Sequence, residues 1–442
     1  MDTDPADVPG APAADRTNWT GLRRIYVMAV LCVIAVVYFI DRQIISILIQ
    51  PIKAEFHVSD KAMGLLTGIM FAGAYAVAGI PVARLIDTYP RKYVLAGCLT
   101  IWSVLTSLGG VAQNFTQLAL SRIGVAAAEA GSPPSGYSIA SDLFSAKARG
   151  TAIATIAAAQ SFGIGMGVLL GGVLSQAFSW RVSFLIVGLP GVLLAILLLT
   201  TVKEPPRALS DAPTASTAKT TLGETLRRLW SIRSFRCFAV ITGMAGFTGY
   251  GLLIWGPTFV LRVFHLSPAK AGIWFGITTS AALVSGNLFG GFLADRLGGR
   301  DLRAYMWIAA GGPLLCIPAG IWFATSSTWQ QAMMAFFLLQ FSLTSHIPTS
   351  YAMGQTLAPA RMRATASTIL SLSSTIIGAG LAPFVIGASN DFLNARFGEE
   401  AIRYSAAIVL IGALFASVAA LTATIWIRGD YARMQRWSAG EE

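Results

Sequence analysis

Four ionisable residues lie inside apolar runs of the chain: Asp41 and Arg42 side by side, and Arg122 and Glu129 seven positions apart. An ionisable side chain at the centre of a membrane helix costs about 2.5–3.5 kcal/mol on insertion scales, so it is usually paired and functional. At a rise of about 1.5 Å per residue, Asp41 stands about 24 Å along a helix starting near Ile25. Arg122 stands about 10 Å along an oppositely directed helix starting near Phe115, so the two share a depth. Glu129 falls on the same helix face as Arg122, about 10 Å further on. A carboxylate stripped of water binds its proton more tightly, and a nearby arginine opposes this. Arginine also grips a phosphate or carboxylate bidentately. The chemistry on offer is proton-linked charge exchange. Asp41 and Glu129 are the candidate protonation sites, with Arg42 and Arg122 as their partners or as holders of an anionic group. The competing reading is a structural salt bridge locking two helices.

Other polar residues within apolar runs are candidates for a cavity lining: Tyr75, Ser132, Gln340, Thr344, His346, Tyr351, Ser371 and Thr375. Bonding between packed helices explains such residues equally well. A set at the ends of runs, Asp87, Arg91, Asp142, Arg149, Asp295, Arg296 and Arg300, suits a conformational latch of charge pairs, with plain charge anchoring as the alternative. Nothing points to catalysis: there is no P-loop, no G-x-S-x-G elbow and no zinc spacing. The four cysteines sit singly and the three histidines are scattered, so no metal site and no cofactor is expected.

The elements that must position these residues follow from composition. The 442 residues are 55% hydrophobic and 12% charged, with a mean hydropathy of +0.64. That charge is too sparse to cover a water-soluble surface. Apolar runs fall at 25–50, 62–86, 93–113, 115–141, 149–178 and 182–202, then at 236–263, 269–294, 304–325, 329–357, 364–391 and 402–427. Each is near the roughly 20 residues a spanning helix needs. The expected organisation is a disordered cytoplasmic tail (1–24), a six-helix bundle (25–202), a cytoplasmic linker with an interfacial helix (203–233), a second six-helix bundle (234–428) and a cytoplasmic tail (429–442). In the linker, Thr221 and Glu224 form a capping box before Leu222, Leu226, Leu229 and Trp230, with Arg227 and Arg228 opposite. With both termini inside, 23 basic residues fall on the cytoplasmic side and 7 outside, as the positive-inside rule requires. The net charge of +11 is then membrane topology and not a nucleic-acid surface.

The halves repeat. Asp87 and Asp295 lie 208 residues apart in similar surroundings, and Arg149 and Arg363 lie 214 apart. A parallel repeat of six-helix units, with a site between the units near mid-membrane, is a transporter architecture. Gly291-x-x-x-Asp295-Arg296-x-Gly298-x-Arg300 resembles the inter-helix signature of the major facilitator superfamily. The first-half copy keeps Asp87, Arg91 and Lys92 but carries Ala83, Thr88 and Pro90 where the signature differs. Asp142 with Arg149, and Arg122-x-x-x-Ala126-x-x-Glu129, resemble two further elements of that superfamily. The ordered series Asp41-Arg42, Pro51-Ile-Lys53, Gly64-Leu-Leu-Thr-Gly68, Gly79-Ile-Pro-Val-Ala-Arg84, Gln113-Asn114-Phe115 and Glu129-Ala-Gly-Ser-Pro-Pro134 is similar to its Spinster branch. Gly163-x-x-x-Gly167-Val168-x-x-Gly171-Gly172 resembles the superfamily's antiporter motif with Val168 in place of proline; close helix packing is its other reading.

The resemblance implies an all-α membrane protein of twelve helices in two pseudo-symmetric bundles. It also implies a proton-coupled secondary transporter in the plasma (inner) membrane, monomeric and without nucleic acid. Its partners would be protons, membrane lipids and a small amphipathic substrate such as a lysolipid or sphingoid-type lipid. The alternatives are a proton-coupled carrier of a sugar or organic anion, and a non-transporting receptor or scaffold.

Overall fold

The computed structural model describes residues 21–205, 222–298, 301–359 and 362–439. Residues 1–20 of the expected tail, linker residues 206–221 with Thr221 of the capping box, Arg300, and the last residues 440–442 lie outside them. In the first half run α1 (Gly21–Phe56), α2 (Asp60–Thr88), α3 (Arg91–Gly110), α4 (Phe115–Glu129), α5 (Ser132–Leu143), α6 (Ala146–Ala177) and α7 (Trp180–Thr201). The short α8 (Leu222–Ser231) precedes α9 (Arg233–Phe264), α10 (Pro268–Gly298), α11 (Leu302–Thr325), α12 (Trp329–Thr344) and α13 (His346–Thr356). The chain closes with α14 (Arg363–Ser373), α15 (Ala382–Phe397), α16 (Ala401–Ile408) and α17 (Leu410–Ala439). The last helix thus continues beyond the 402–427 run into the expected tail.

Side chains are distributed for an apolar solvent. Val77, Leu193, Leu315 and Ile425 are among many large hydrophobic residues left exposed on the outside of the bundle, while Asp41, Arg122 and Glu129 are buried inside it. A soluble protein would invert that arrangement. On α8, Leu229 is buried against the bundle while Leu226 and Trp230 are exposed, as an interfacial helix requires.

Two ends of the bundle can be distinguished. The near end holds the start of α1, and the far end holds the turn between α1 and α2. Two far-end turns are closed by a residue in the left-handed region, His57 (φ 51°) and His265 (φ 49°), again 208 positions apart. Two more far-end features recur. Asn114 and Thr328 each cap the following helix by accepting from the backbone of Gln117 and Gln331, and each glutamine reaches back to the chain before the cap. Arg181 binds the carbonyls of Gly110 and Ala112 at the end of α3. Arg403 binds those of Ala324 and Ser326 at the end of α11. Both satisfy carbonyls that a helix end leaves without partners.

The apolar run 115–141 is two helices, broken at Ala130 and Gly131, because Pro133 and Pro134 open α5 without N–H groups to continue the ladder. The run 364–391 is helical throughout but passes through a π-helical segment, Ser374–Leu381. It faces another π-helical segment, Leu66–Met70, in α2. There a Cβ on Gly68 would stand 2.3 Å from the carbonyl oxygen of Gly380, so only glycine permits this approach. Helix α6 packs on α1 in its own half and on α10 in the other. Gly163, Gly167 and Gly171 meet α1, while Gly165 and Gly172 meet Gly276 and Gly272 of α10. Close packing on two sides therefore accounts for the whole glycine series.

Candidate substrate and proton site

The four charges converge between α1 and α4. Arg122 Nη1 donates to Asp41 Oδ1 at 3.2 Å, and Thr106 of α3 donates to the same carboxylate at 2.6 and 2.8 Å. Arg122 is held between aromatic faces, 5.7 Å from the ring centroid of Phe71 and 5.8 Å from that of Phe184. Arg42 differs. Its Nη1 donates to the Tyr38 hydroxyl at 3.0 Å, and its guanidinium lies over Phe71 and Tyr75 at 4.9 and 5.5 Å. No carboxylate pairs with Arg42 among the described residues. Glu129 is fully enclosed, and neither carboxylate oxygen has a hydrogen-bond partner among the described residues. It lies close enough to feel the charges of Asp41, Arg42 and Arg122. The site therefore contains a bonded carboxylate–arginine pair beside an arginine and a carboxylate that bond to neither.

Arg42 and Arg122 line a pocket of about 30 Å³, room for little more than a water. Phe39, Ile164, Tyr250 and Leu253 border both this pocket and a cavity of about 550 Å³ between the halves. The larger cavity is largely apolar on its α6 and α10 walls, apart from Gln160, Ser161 and Asn287, and is lined on its α12–α13 wall by Gln340, Thr344, His346 and Tyr351. Its volume is that of a small-molecule site. Ser374 lines it, whereas Ser371 and Thr375 do not. Thr375 lies inside the π-helical segment that begins at Ser374, whose wider turn departs from α-helical spacing. Tyr75 instead backs Arg42, and Ser132 lines a separate small pocket near Tyr38 and Gln160.

The latch candidates form contacts within the first half. Arg91 pairs with Asp142 and with Glu204, the latter at 2.8 Å, and also binds Ser138 at 2.9 Å and the Pro205 carbonyl at 2.8 Å. Arg149 Nε donates to the Ser141 carbonyl at 3.0 Å. Asp87 and Asp295 are exposed, as is Arg296, which lies by the ring of Phe292.

Sequence reading missed the strongest junction between the halves, which is at the far end. The Asp60 carboxylate, buried at 2% exposure, accepts from both Nη atoms of Arg262 on α9, the second at 2.6 Å. It also accepts from Asn390 of α15 at 3.0 Å and from Lys53 of α1 at 2.7 Å. Asp391 accepts from the backbone N–H groups of Asp60 and Lys61 at 3.0 and 2.8 Å. With its amide oxygen turned toward Arg262, Gln50 accepts at 2.7 and 2.8 Å. The far end is therefore sealed, and the cavity lies between that seal and the near end.

A family model described as Major Facilitator Superfamily matches residues 31–383. The chain is 34% identical to a protein of Mycolicibacterium smegmatis named MFS-type efflux pump, over 94% of each chain. It is 27% identical to human protein spinster homolog 1, over 94% of this chain and 84% of that protein. Among solved structures, it matches a bacterial homologue of the human lysosomal transporter Spinster in an inward-facing, unoccupied conformation. The TM-score is 0.84 at 28% identity, over 93% of this chain and 99% of that one.

Proposed function

The chain belongs to the major facilitator superfamily, in its Spinster branch, and on that premise we propose that it moves an amphipathic, lipid-like substrate by proton-coupled alternating access. It is a multi-pass integral protein of the plasma membrane and a transporter, not an enzyme. Its twelve spans form two six-helix halves with both termini in the cytoplasm, so the near end faces inward. The recurring histidine turns, glutamine caps and carbonyl-binding arginines support the repeat.

One observation carries the proposal: Arg42 and Glu129 lie in one buried site without bonding to each other, beside the bonded Asp41–Arg122 pair. Arg42 receives the anionic head of the substrate through the pocket at Phe39 and Tyr250. Glu129 and Asp41 carry the proton. When a proton neutralises Asp41, Arg122 loses its counter-charge and becomes available to the head. The Asp41 carboxylate and the substrate's head thereby compete for Arg122, so protonation favours substrate binding, which couples their movements. The apolar walls of the cavity accommodate the tail. Asp87, Arg91, Asp142, Arg149, Asp295, Arg296 and Arg300 change partners when the near end closes and the Asp60 seal opens. The M. smegmatis relative, an efflux pump by name, supports outward movement.

A second reading, a small organic anion as cargo, is favoured by the 26% identity to a probable L-galactonate transporter of Escherichia coli and by the polar α12–α13 wall. Proteoliposomes with an imposed pH gradient separate the readings. The proposal expects gradient-dependent movement of a fluorescent lysophosphatidate and none of a sugar acid. Movement of the sugar acid alone selects the second reading. No flux of either would contradict both cargo readings.

A further inference from the structure

The cavity wall opposite the arginines contains a second set of polar groups that the protein does not satisfy. Gln340 is 2% exposed, and its Oε1 is enclosed without a hydrogen-bond partner among the described residues. A buried amide in that condition loses its hydration with no return, so something else is expected to bond it. It lines the 550 Å³ cavity. Across from it, α9 presents Gly246 and Gly249 to the same space. A Cβ on Gly249 would stand in ordinary contact with Gln340 Oε1 at 3.8 Å and tightly against Leu343 at 3.1 Å, so the α9 backbone lies close to the amide. Six residues on, His346 also lines the cavity. Its Nδ1 contacts the Leu343 carbonyl. A carbonyl only accepts, so Nδ1 carries the proton and Nε2 is left as an acceptor. The wall thus holds two acceptors, while the facing half holds two arginines, which are donors.

We propose that Gln340 and His346 form a second head-group subsite, one that takes an uncharged hydrogen-bond donor such as a hydroxyl of the substrate while Arg42 takes its anion. The cargo then bridges the two halves, from α1 through the Tyr250 border to α12. This rests on the reading that the cavity holds the cargo, and it assigns a part of the head to the second half. An acceptor built to meet a hydroxyl discriminates strongly against an analogue lacking it, because the site's buried polar group is then stranded.

The test uses two phosphate probes, of which one alone carries that hydroxyl, and reads its contribution from the change between wild type and the Gln340 variants. Oleoyl lysophosphatidate has a free hydroxyl beside its phosphate; oleyl phosphate has the phosphate and tail alone. Binding of each to the purified full-length protein is measured by tryptophan fluorescence for wild type, Gln340→Met and Gln340→Asn. Wild type is expected to bind lysophosphatidate about tenfold more tightly than oleyl phosphate. In both variants the preference should fall to within about twofold through loss on the lysophosphatidate side, with oleyl phosphate binding retained. Retained binding of oleyl phosphate also shows that the variants are folded. A wild-type preference that both variants keep overturns the subsite alone. Equal binding of the two probes by wild type does the same. Binding of neither probe by wild type overturns the lipid reading and the subsite with it.

Discussion

Replacing Asp60 by asparagine should open the far end. The Asp60 carboxylate holds two groups of the opposite half, the Arg262 guanidinium through both Nη atoms and the Asn390 amide at 3.0 Å. Lys53 lies on α1, in the same half as Asp60, so its 2.7 Å bond persists in either conformation and drops out of the comparison. The backbone donations from Asp60 and Lys61 to Asp391 also survive the substitution. A hydrogen bond to a charged group contributes about 1.5–3 kcal/mol net. Asparagine retains one neutral acceptor, so the seal loses about 3 kcal/mol of attraction between the halves. At about 1.4 kcal/mol per tenfold, the ratio of far-end-closed to far-end-open molecules falls about 100-fold. Spin labels at Ala54→Cys and Asn394→Cys, both exposed at the far end, read the separation directly. Cys32, Cys98, Cys237 and Cys316 are first replaced by serine. In Asp60→Asn a longer-distance population should appear or grow. A distance distribution identical to that of the parent protein would refute the argument that Asp60 holds the halves together.

Three other outcomes are expected. Gly165→Leu should abolish flux while the protein still purifies in folded form, because even a Cβ there would stand 2.2 Å from the Gly276 carbonyl; normal flux would mean that α6 and α10 do not need this contact. Arg122→Ala should lower both thermal stability and substrate binding, the former by about 3–5 kcal/mol, since it strands Asp41 in a dry site; unchanged melting in detergent would contradict the pairing. Asp301, which caps α11 outside the spans, has its carboxyl held below the ordinary value by the Arg303 backbone N–H and then by Arg428. A lowered folded value contributes stability above the ordinary carboxylate range, and that contribution is lost as pH falls through the folded value. The melting temperature of wild type should therefore exceed that of Asp301→Asn near neutrality and approach it as pH falls below the ordinary carboxylate range, and a constant margin down to the lowest pH would exclude this linkage.

The parts of the fold that depend on one helix at a time were legible in the sequence. Counting residues along two straight helices puts Asp41 and Arg122 at one depth, and they are bonded. Each apolar run is helical, although 115–141, 329–357 and 402–427 are each broken into two helices and the last helix continues to Ala439. What depends on how helices meet was not legible. Asp60 and Arg262 read as ordinary charges at the ends of spans, and nothing local says that helices 200 residues apart bring them together. Ser59 before Asp60, a helix cap accepting from Ala62, was the available signal that Asp60 opens a helix and faces its neighbours. Arg91 was grouped with Asp87, its neighbour in sequence. Pro90 ends the intervening turn, and Arg91 then starts α3 facing inward toward Asp142 and Glu204 while Asp87 stays exposed. Ser371, Ser374 and Thr375 follow one another at α-helical spacing in the sequence, but a π-helical segment begins at Ser374, and of the three Ser374 alone lines the cavity. The unpartnered state of Glu129 is a property of packing alone, since a sequence shows a carboxylate near two arginines and not which oxygen each arginine reaches.

On the proposed mechanism, protonation of a buried carboxylate releases an arginine to the substrate's anionic head, so proton and substrate binding are linked at one site. Proteoliposomes loaded with a pH-sensitive dye test it most directly, when lysophosphatidate is added and internal pH is followed for wild type, Asp41→Asn and Glu129→Gln. A substrate-dependent pH change is expected for wild type and none for Glu129→Gln or Asp41→Asn, with lysophosphatidate still bound by both variants. A pH change of full size in both variants would contradict it and leave the four charges a structural lock.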